Sequence, residues 1–498
     1  MAKVNNRDMR FHGTFQLPSD ISSFGELVVD GRRTLLNLSS QSELPLLRSV
    51  GNILGVTLDG KRITCIDCVG SSQGRSTMGH VVTSHYAHVF PHYVVIGDEH
   101  VDTKSARIQR ISFTVDDIAS LFYDFDAFGF VIDASKVIDS VLEQQSRIRQ
   151  IKAGEWPEVA YFTGRFTVAE LDSAIGKIAV RHRPTSNMGG PDGFYMKNTM
   201  YVSIEPDHPV SFESAMDRVA CVSHFLSMVA GRVQGATDIQ ISLAGYADDR
   251  RRNPLRVHWS YAPKTPNSSD SERKPHPGDV PLDPIQRRDE FISVITYWIE
   301  RDSGRRTARV RYLSCLQKGN SYGVDRLVAA ANMFDVLPPE ATPAPVPLPD
   351  DLSEARSTIL STLKKLPQSQ DRDSAISAIA RMGKPSLPKK VAHRTRIVTE
   401  QVDSAFPDLD YVIRIALSCR NYFVHGGGPK AFDFKAAEPF VPFLTDALEF
   451  VFSASDLIEA GWDASRWNQE PHGTGHNFAR FRWGYKETVA QLKQAMAT

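Results

Sequence analysis

Between residues 264 and 283 the chain changes its rule of construction. Up to residue 263 apolar residues come in short runs with β-branched and aromatic side chains, broken every few positions by Gly, Asp, Asn or Pro. Beyond residue 283 they recur every three to four residues. The first pattern suits strands that turn alternate side chains to a core, and the second suits helices with one apolar face. No single element satisfies both periods, so the two halves must build different kinds of domain. The segment between them, KTPNSSDSERKPHPGDVPLD, is rich in Pro, Ser and Asp and poor in large apolar residues. It reads as a linker.

The expected fold class is therefore α+β and multidomain. A β-rich N-terminal domain over 1–263 precedes a linker over 264–283 and an all-α bundle over 284–498. Strands are expected at 25–31, 62–69, 93–96 and 108–115, and a second group at 160–165, 177–183, 199–204 and 239–244. One helix, 212–233, interrupts them, because Met216, Val219, Ala220, Val222, Phe225 and Val229 recur near helical spacing. In the second half, helices are expected at 291–299 and 327–337. The proline-rich segment 338–349 then excludes helix. Helices resume at 351–365, 371–382, 391–406, 410–425, 436–459 and 485–497. No repeat of about 20 to 50 residues is present.

A chain of 498 residues exceeds what one hydrophobic core supports, in keeping with more than one domain. No run of about 18 apolar residues occurs, so no membrane span is expected. The opening MAKVNNRDMRFHGTF has no apolar segment after its charges, which reads against a secretory signal and toward a cytoplasmic protein. Cys65, Cys68, Cys221, Cys315 and Cys419 are odd in number and scattered, which is not a disulfide framework. The 58 basic and 58 acidic side chains cancel, so any site for a polyanion must be local.

Such a locality exists near the end of the 410–425 helix. Asp408 and Asp410 mark its start as a cap, and Gly426, Gly427 and Gly428 mark its end. Val412, Ile415, Ala416, Cys419 and Phe423 share one apolar face. Arg414, Ser418, Asn421 and His425, spaced by four, three and four, form a polar stripe on the opposite face. Arg420 stands about 140° around the helix from His425, so the two converge through the length of the arginine, through unwinding at the glycines, or through a second subunit. A permanent bidentate cation beside an imidazole that titrates near neutrality suits phosphate chemistry. By spacing alone, an Arg and a His near a helix C-terminus also suit a surface helix that complements its macrodipole.

The run Arg420-Asn421-Tyr422-Phe423-Val424-His425 resembles the Arg, four-residue spacer, His signature of HEPN ribonucleases, with a polar Asn after the Arg and small residues after the His. The N-terminal half is similar in its wording to the ApeA-type HEPN proteins of bacterial anti-phage defence, at Phe11-His-Gly-Thr-Phe-Gln-Leu-Pro18, Gly25-Glu-Leu27 and Ile63-Thr-Cys-Ile-Asp-Cys68. The resemblance implies a metal-independent endoribonuclease that needs no cofactor and works as a homodimer or higher homo-oligomer. It implies attack of an RNA 2′-OH on the adjacent phosphate, with tRNA a candidate substrate and the outcome abortive infection. Arg420 would hold the phosphate, His425 would act as general base or acid, and Asn421 would orient the imidazole or bond the phosphate. Ser418 and Asp335 are candidate supports behind these groups. Related bundles often carry an acidic residue facing the motif, and here either Asp335 or Asn332 takes that place. The β-rich half would sense a phage-derived trigger. The competing expectation is a HEPN bundle that binds RNA or protein without cleaving.

RNA contacts are expected from residues 351–430, which hold 13 Lys and Arg against 8 Asp and Glu. The candidates are Lys389, Lys390, Arg394, Arg396 and Arg414. A solvated helix face beside a loop explains the same charges equally well. Other features read as ordinary structure. Cys65-Ile-Asp-Cys68 has half the spacing of a zinc site, but it lies on an expected strand that would point its thiols to opposite faces. His80, His85, His88, His92 and His100 follow no ligand spacing, and His472 and His476 sit in a Gly-rich loop. No metal site is expected.

Overall fold

The computed structural model of the protein describes residues 9–17, 21–150, 152–187, 189–191, 193–245, 253–263, 274–402, 404–426 and 432–497, the side chains of Ser49, Val50 and His425 excepted. The chain divides into two compact units. One comprises Met1–Leu226, Gln234–Thr265 and Leu282–Ile292; the other comprises Ser227–Val233, Pro266–Pro281 and Ser293–Thr498.

The first unit is built on antiparallel strands. They are β1 Met9–Leu17, β2 Ile21–Val29, β3 Leu35–Ser40, β4 Ser49–Thr57, β5 Arg62–Met78, β6 Val81–Gly97, β7 Ile108–Val115, β8 Phe128–Val131, β9 Val159–Phe162, β10 Thr167–Ser173, β11 Gly176–Ser186, β12 Met196–Glu205, β13 Ala236–Leu243 and β14 Leu255–Trp259. Twelve of them form one sheet in the order β10-β11-β12-β7-β13-β14-β6-β3-β2-β1-β4-β5, and β5 pairs back onto β6. That last pairing closes β1 to β6 into a six-stranded barrel, the other six strands of this sheet continue from β6 as an open sheet, and β8 and β9 pair with each other as a separate ribbon. Alternation fills the barrel: Phe15, Leu27, Leu36, Leu38, Ile53, Ile63, Ala87 and Val89 form its core. Gly55 lies opposite Phe15, and a Cβ there would come within 2.5 Å of the Phe15 ring, so glycine makes room for the aromatic. Helices α1 Ile118–Leu121, α2 Ser135–Gln145 and α3 Phe212–Ala230 interrupt the strands.

Cys65 and Cys68 both belong to the barrel core, contrary to the expectation of opposite faces. The register of β4 against β5 slips between Gly51/Cys68 and Ile53/Cys65, and Asp67 adopts φ +52°. This bulge adds one residue to β5 and returns the second thiol to the inward side. Among the described residues, no three His, Cys, Asp or Glu side chains are grouped to hold a metal ion.

The second unit is helical: α4 Arg288–Glu300, which begins in the first unit, α5 Asp302–Leu316, α6 Val324–Asn332, α7 Asp350–Lys365, α8 Gln370–Ala380, α9 Leu387–Val402, α10 Leu409–His425, α11 Phe434–Ala437, α12 Val441–Glu459, α13 Ala464–Gln469 and α14 Asn477–Ala497. Helix α12 is buried nearly all round, from Val441 to Leu457, as a helix at the centre of a bundle must be. Helices α5, α6, α9, α10 and α14 pack against it. No described helix is long and apolar enough to cross a membrane.

The expected linker behaves differently in its two parts. Residues 264–273 lie outside the described residues. Residues 274–281 pack within the helical unit: Asp279 accepts from Gly473 N at 2.6 Å and Gly475 N at 3.0 Å, and Trp462 Nε1 donates to Pro281 O at 2.8 Å. Proline and serine content pointed to a free connection, but this carboxylate ties the strap down.

Candidate functional site

Helix α10 carries the Arg/His motif, and its packing decides what the motif can reach. Val412, Ile413, Ala416, Leu417 and Cys419 are buried, while Ile415 and Phe423 are half-buried. The core face is thus rotated slightly from the expected one, because α6, α9 and α12 all contact the helix. Arg414 and Asn421 are exposed and Ser418 is half-buried, so these members of the polar stripe lie along the open side.

The helix start differs from expectation. Asp408 occupies the N-cap position at φ +61°, but its side chain makes no capping bond. Its carboxylate accepts from Lys493 Nζ at 2.5 Å instead. Asp410 lies in the first turn, where a negative charge suits the macrodipole. At the other end the helix stays intact through His425, and Gly426 ends it at φ +74°, a conformation that favours glycine. Gly427, Gly428 and the His425 side chain lie outside the described residues. Unwinding before His425 is therefore not how Arg420 approaches the stripe.

Arg420 approaches it by reach. Its Nη1 donates to Asn421 Oδ1 at 3.1 Å, which turns the guanidinium toward the stripe. Nε and Nη2 donate to Asn332 Oδ1 at 3.3 and 2.9 Å. Of the two candidates for the place facing the motif, Asn332 is the one that meets Arg420. Asp335 lies one turn further on, where its main-chain oxygen accepts from Lys390 Nζ at 2.7 Å and its carboxylate stands 3.9 Å from the same ammonium. The sequence reading left the choice between Asp335 and Asn332 open and ranked only Asp335 among the supports, because an amide at a helix end carries no charge signal. The expectation that the partner of Arg420 would be acidic pointed toward Asp335.

At the C-terminus of α10, aromatic packing holds the backbone. Phe434 of α11 stacks on Tyr422 at 5.0 Å and meets Phe423 edge-on at 4.7 Å. Ser418 Oγ donates to Arg414 O at 3.0 Å, one turn back along the helix.

The expected RNA-contact residues separate into three groups. Lys389, Arg396 and Arg414 are exposed. Lys390 is mostly covered and caps the turn that follows Asn332. Arg394 is 1 % exposed: its Nε donates to Ser455 Oγ at 2.9 Å, and its Nη1 pairs with the Glu459 carboxylate. An arginine at that position of α9 faces α12 and belongs to the core, so Arg394 is withdrawn from the RNA contacts. It joins a buried network in which Arg305 and Arg309 pair with Asp456 at 2.6 and 3.0 Å. Burial raises the Asp456 pKa, but Arg309, Arg305 and Arg394 outweigh it and hold that carboxyl at about 2.

Comparison with protein-family models bears on both halves. The model described as ApeA N-terminal domain 1 matches residues 10–298, and that described as Apea-like HEPN matches residues 328–466. The chain belongs to the ApeA-like HEPN family. The HEPN match contains Asn332, Asp335, Lys390, Arg420 and His425, and HEPN domains are in general ribonucleases. Comparison with curated proteins and with solved structures returns no match.

Proposed function

We propose that this ApeA-like HEPN protein is a metal-independent endoribonuclease that acts in the bacterial cytoplasm during phage infection. The observation that carries the reading is the anchoring of Arg420 by Asn332 and Asn421 at the end of α10, five positions before His425. The 2′-OH of a ribose loses its proton and attacks the adjacent phosphorus as the bond to the 5′-oxygen breaks. That oxygen takes up a proton, leaving a 2′,3′-cyclic phosphate and a 5′-hydroxyl end. His425 serves as general base or acid, since an imidazole exchanges protons near neutral pH. Arg420 offsets charge on the non-bridging oxygens. Lys389, Arg396 and Arg414, all exposed, supply backbone contacts. A homodimer, tRNA as substrate, abortive infection as the outcome and a phage-derived trigger at the β-rich unit complete the proposal.

The test is cleavage of total tRNA and of a single-stranded RNA by the full chain, with and without EDTA, followed by sequencing of the ends. Cleavage that survives EDTA, leaves 5′-hydroxyl ends and disappears in Arg420→Ala and His425→Ala is the expected result. Undiminished activity in either variant removes the catalytic assignment. Tight RNA binding by the wild type with no products would instead make the bundle a binding module.

A further inference from the structure

Helices α7 and α8 differ from the other described helices of the second unit in burying no residue. They pack against each other, and each caps the other's end. Arg356 of α7 donates to Ile379 O and Ala380 O at 3.2 and 3.0 Å, while Arg372 of α8 donates to Leu363 O and Lys364 O at 2.9 and 3.1 Å. This exchange satisfies last-turn carbonyls and fixes which side of α7 faces α8. Arg356, Leu360 and Leu363 are half-buried on that side. Beside it, Leu352, Ile359 and Leu366 are 43, 42 and 50 % exposed. They recur every seven residues, which keeps them within about 40° of one line along the helix, with exposed Ala355 and Thr362 between them. An apolar stripe of that period is the seam of a paired helix, and in one chain it is left open to solvent.

We infer that this stripe is a seam between two copies of the chain, paired antiparallel through α7 about a two-fold axis at Ile359. The charges of the helix fit a second copy. Asp350, Asp351 and Glu354 lie in the first turns and Lys364 and Lys365 in the last, while residues 357–363 carry no charge. A helix that meets itself at its middle must be uncharged there, because any charge would face its own like. Its two ends must be opposite in sign, because the two-fold sets the acidic end of one copy beside the basic end of the other. The macrodipole favours the same charges at the ends but makes no demand on the middle. The axis also sets Leu352 against Leu366 of the partner subunit, two heptads apart along a helix about 24 Å long. A parallel pair would align acid with acid. The inference rests on the homodimer of the proposed function and names its surface.

Sedimentation velocity of the full chain over a concentration series tests the seam. The wild type is expected to dimerise. Ile359→Glu, which sets two like charges on the axis, should raise the dimer Kd at least about a hundredfold. Two further variants change only the ends: Asp350→Lys/Asp351→Lys/Glu354→Lys makes both ends basic, and Lys364→Glu/Lys365→Glu makes both acidic. Each alone should dimerise at least about tenfold more weakly at low salt, and an equimolar mixture should recover wild-type association as a heterodimer. A folding defect in either variant would not be repaired by mixing. All the substituted side chains are exposed, so thermal unfolding should match the wild type. A wild-type dimer whose Kd is unchanged in Ile359→Glu overturns the inference and leaves the homodimer to another surface. A mixture no tighter than either variant alone overturns it as well. A monomeric wild type also overturns it, and cleavage of RNA by that monomer would keep the nuclease reading. A dimer that meets every expectation but never cleaves RNA upholds the seam and removes the nuclease reading.

Discussion

Arg394 and Glu459 are paired inside the helical unit, and the Glu459 oxygen they share also accepts from Arg305 at 2.7 Å. A buried pair of this kind does little for stability relative to an apolar substitute, but breaking it strands a charge and costs about 3–5 kcal/mol. Arg394→Ala is expected near the lower figure, because Arg305 remains to hold Glu459. Arg396, two residues on and exposed, should tolerate Ala within about 0.5 kcal/mol. Urea unfolding of the two variants checks this, and equal losses would contradict the burial of Arg394.

The same network explains what the sequence concealed. Helix α5 reads DSGRRTARVRYLSCL, and its core-facing positions include Arg305 and Arg309, which defeat any search for apolar spacing. No helix was expected there for that reason. Only 62–69 of β5 and 93–96 of β6 were legible, along with helix α12, because there the pattern is carried by aliphatic and aromatic side chains; the remaining parts of the two long strands, 70–78 and 81–92, were not expected. At the site, Arg420 and Asn421 were legible because their order along α10 carries the motif. Asn332 lies 88 positions away, and no local pattern links a lone amide to a guanidinium on another helix. The bulge at Asp67 was equally hidden, since one residue at positive φ reverses the face of Cys68 without altering the composition of the strand.

Stability should fall as the pH drops below about 6.5. His476 is fully buried, and burial pushes its pKa down to about 3, with Arg480 adding to the shift. The folded protein therefore keeps this imidazole neutral, while an unfolded chain binds a proton near pH 6.5. The stabilisation is complete above 6.5 and is lost as the pH falls toward 3, at up to about 1.4 kcal/mol per pH unit. His182 and His258, also lowered by burial, act in the same direction. Asp456 contributes only below its ordinary value near 3.8. Urea unfolding at pH 7.5 and 5.5 should differ by at least about 1.4 kcal/mol. In His476→Gln the difference should shrink; an unchanged difference would mean that His476 is not the group titrating.

Thiol chemistry should be silent in the native state. None of the five cysteines is in a disulfide and all are buried, and burial pushes Cys315 and Cys419 up to about 12. For Cys65, contact with Cys68 and then burial push the thiol well above its ordinary value. Since the thiolate is the reactive form, a soluble maleimide or disulfide reagent should label none of them until the fold opens. The expected labelling rate is that of unfolding at each urea concentration. Rapid modification of Cys65 or Cys68 in native buffer would contradict the closed barrel.

Lys389 and Lys390 are neighbours in sequence and should separate in function. Lys389 is exposed, whereas Lys390 spends its ammonium on the turn behind Asn332. Lys389→Ala, like Arg396→Ala and Arg414→Ala, is expected to lower the salt dependence of RNA binding by about 0.7 in slope while sparing the cleavage rate of bound RNA. Lys390→Ala should leave that slope nearly unchanged and slow cleavage of bound RNA, because it loosens the turn that fixes Asn332 against Arg420. Binding isotherms across a salt series, paired with single-turnover cleavage, distinguish the two. A Lys390→Ala variant that loses slope and keeps its single-turnover rate would assign Lys390 to the RNA backbone instead.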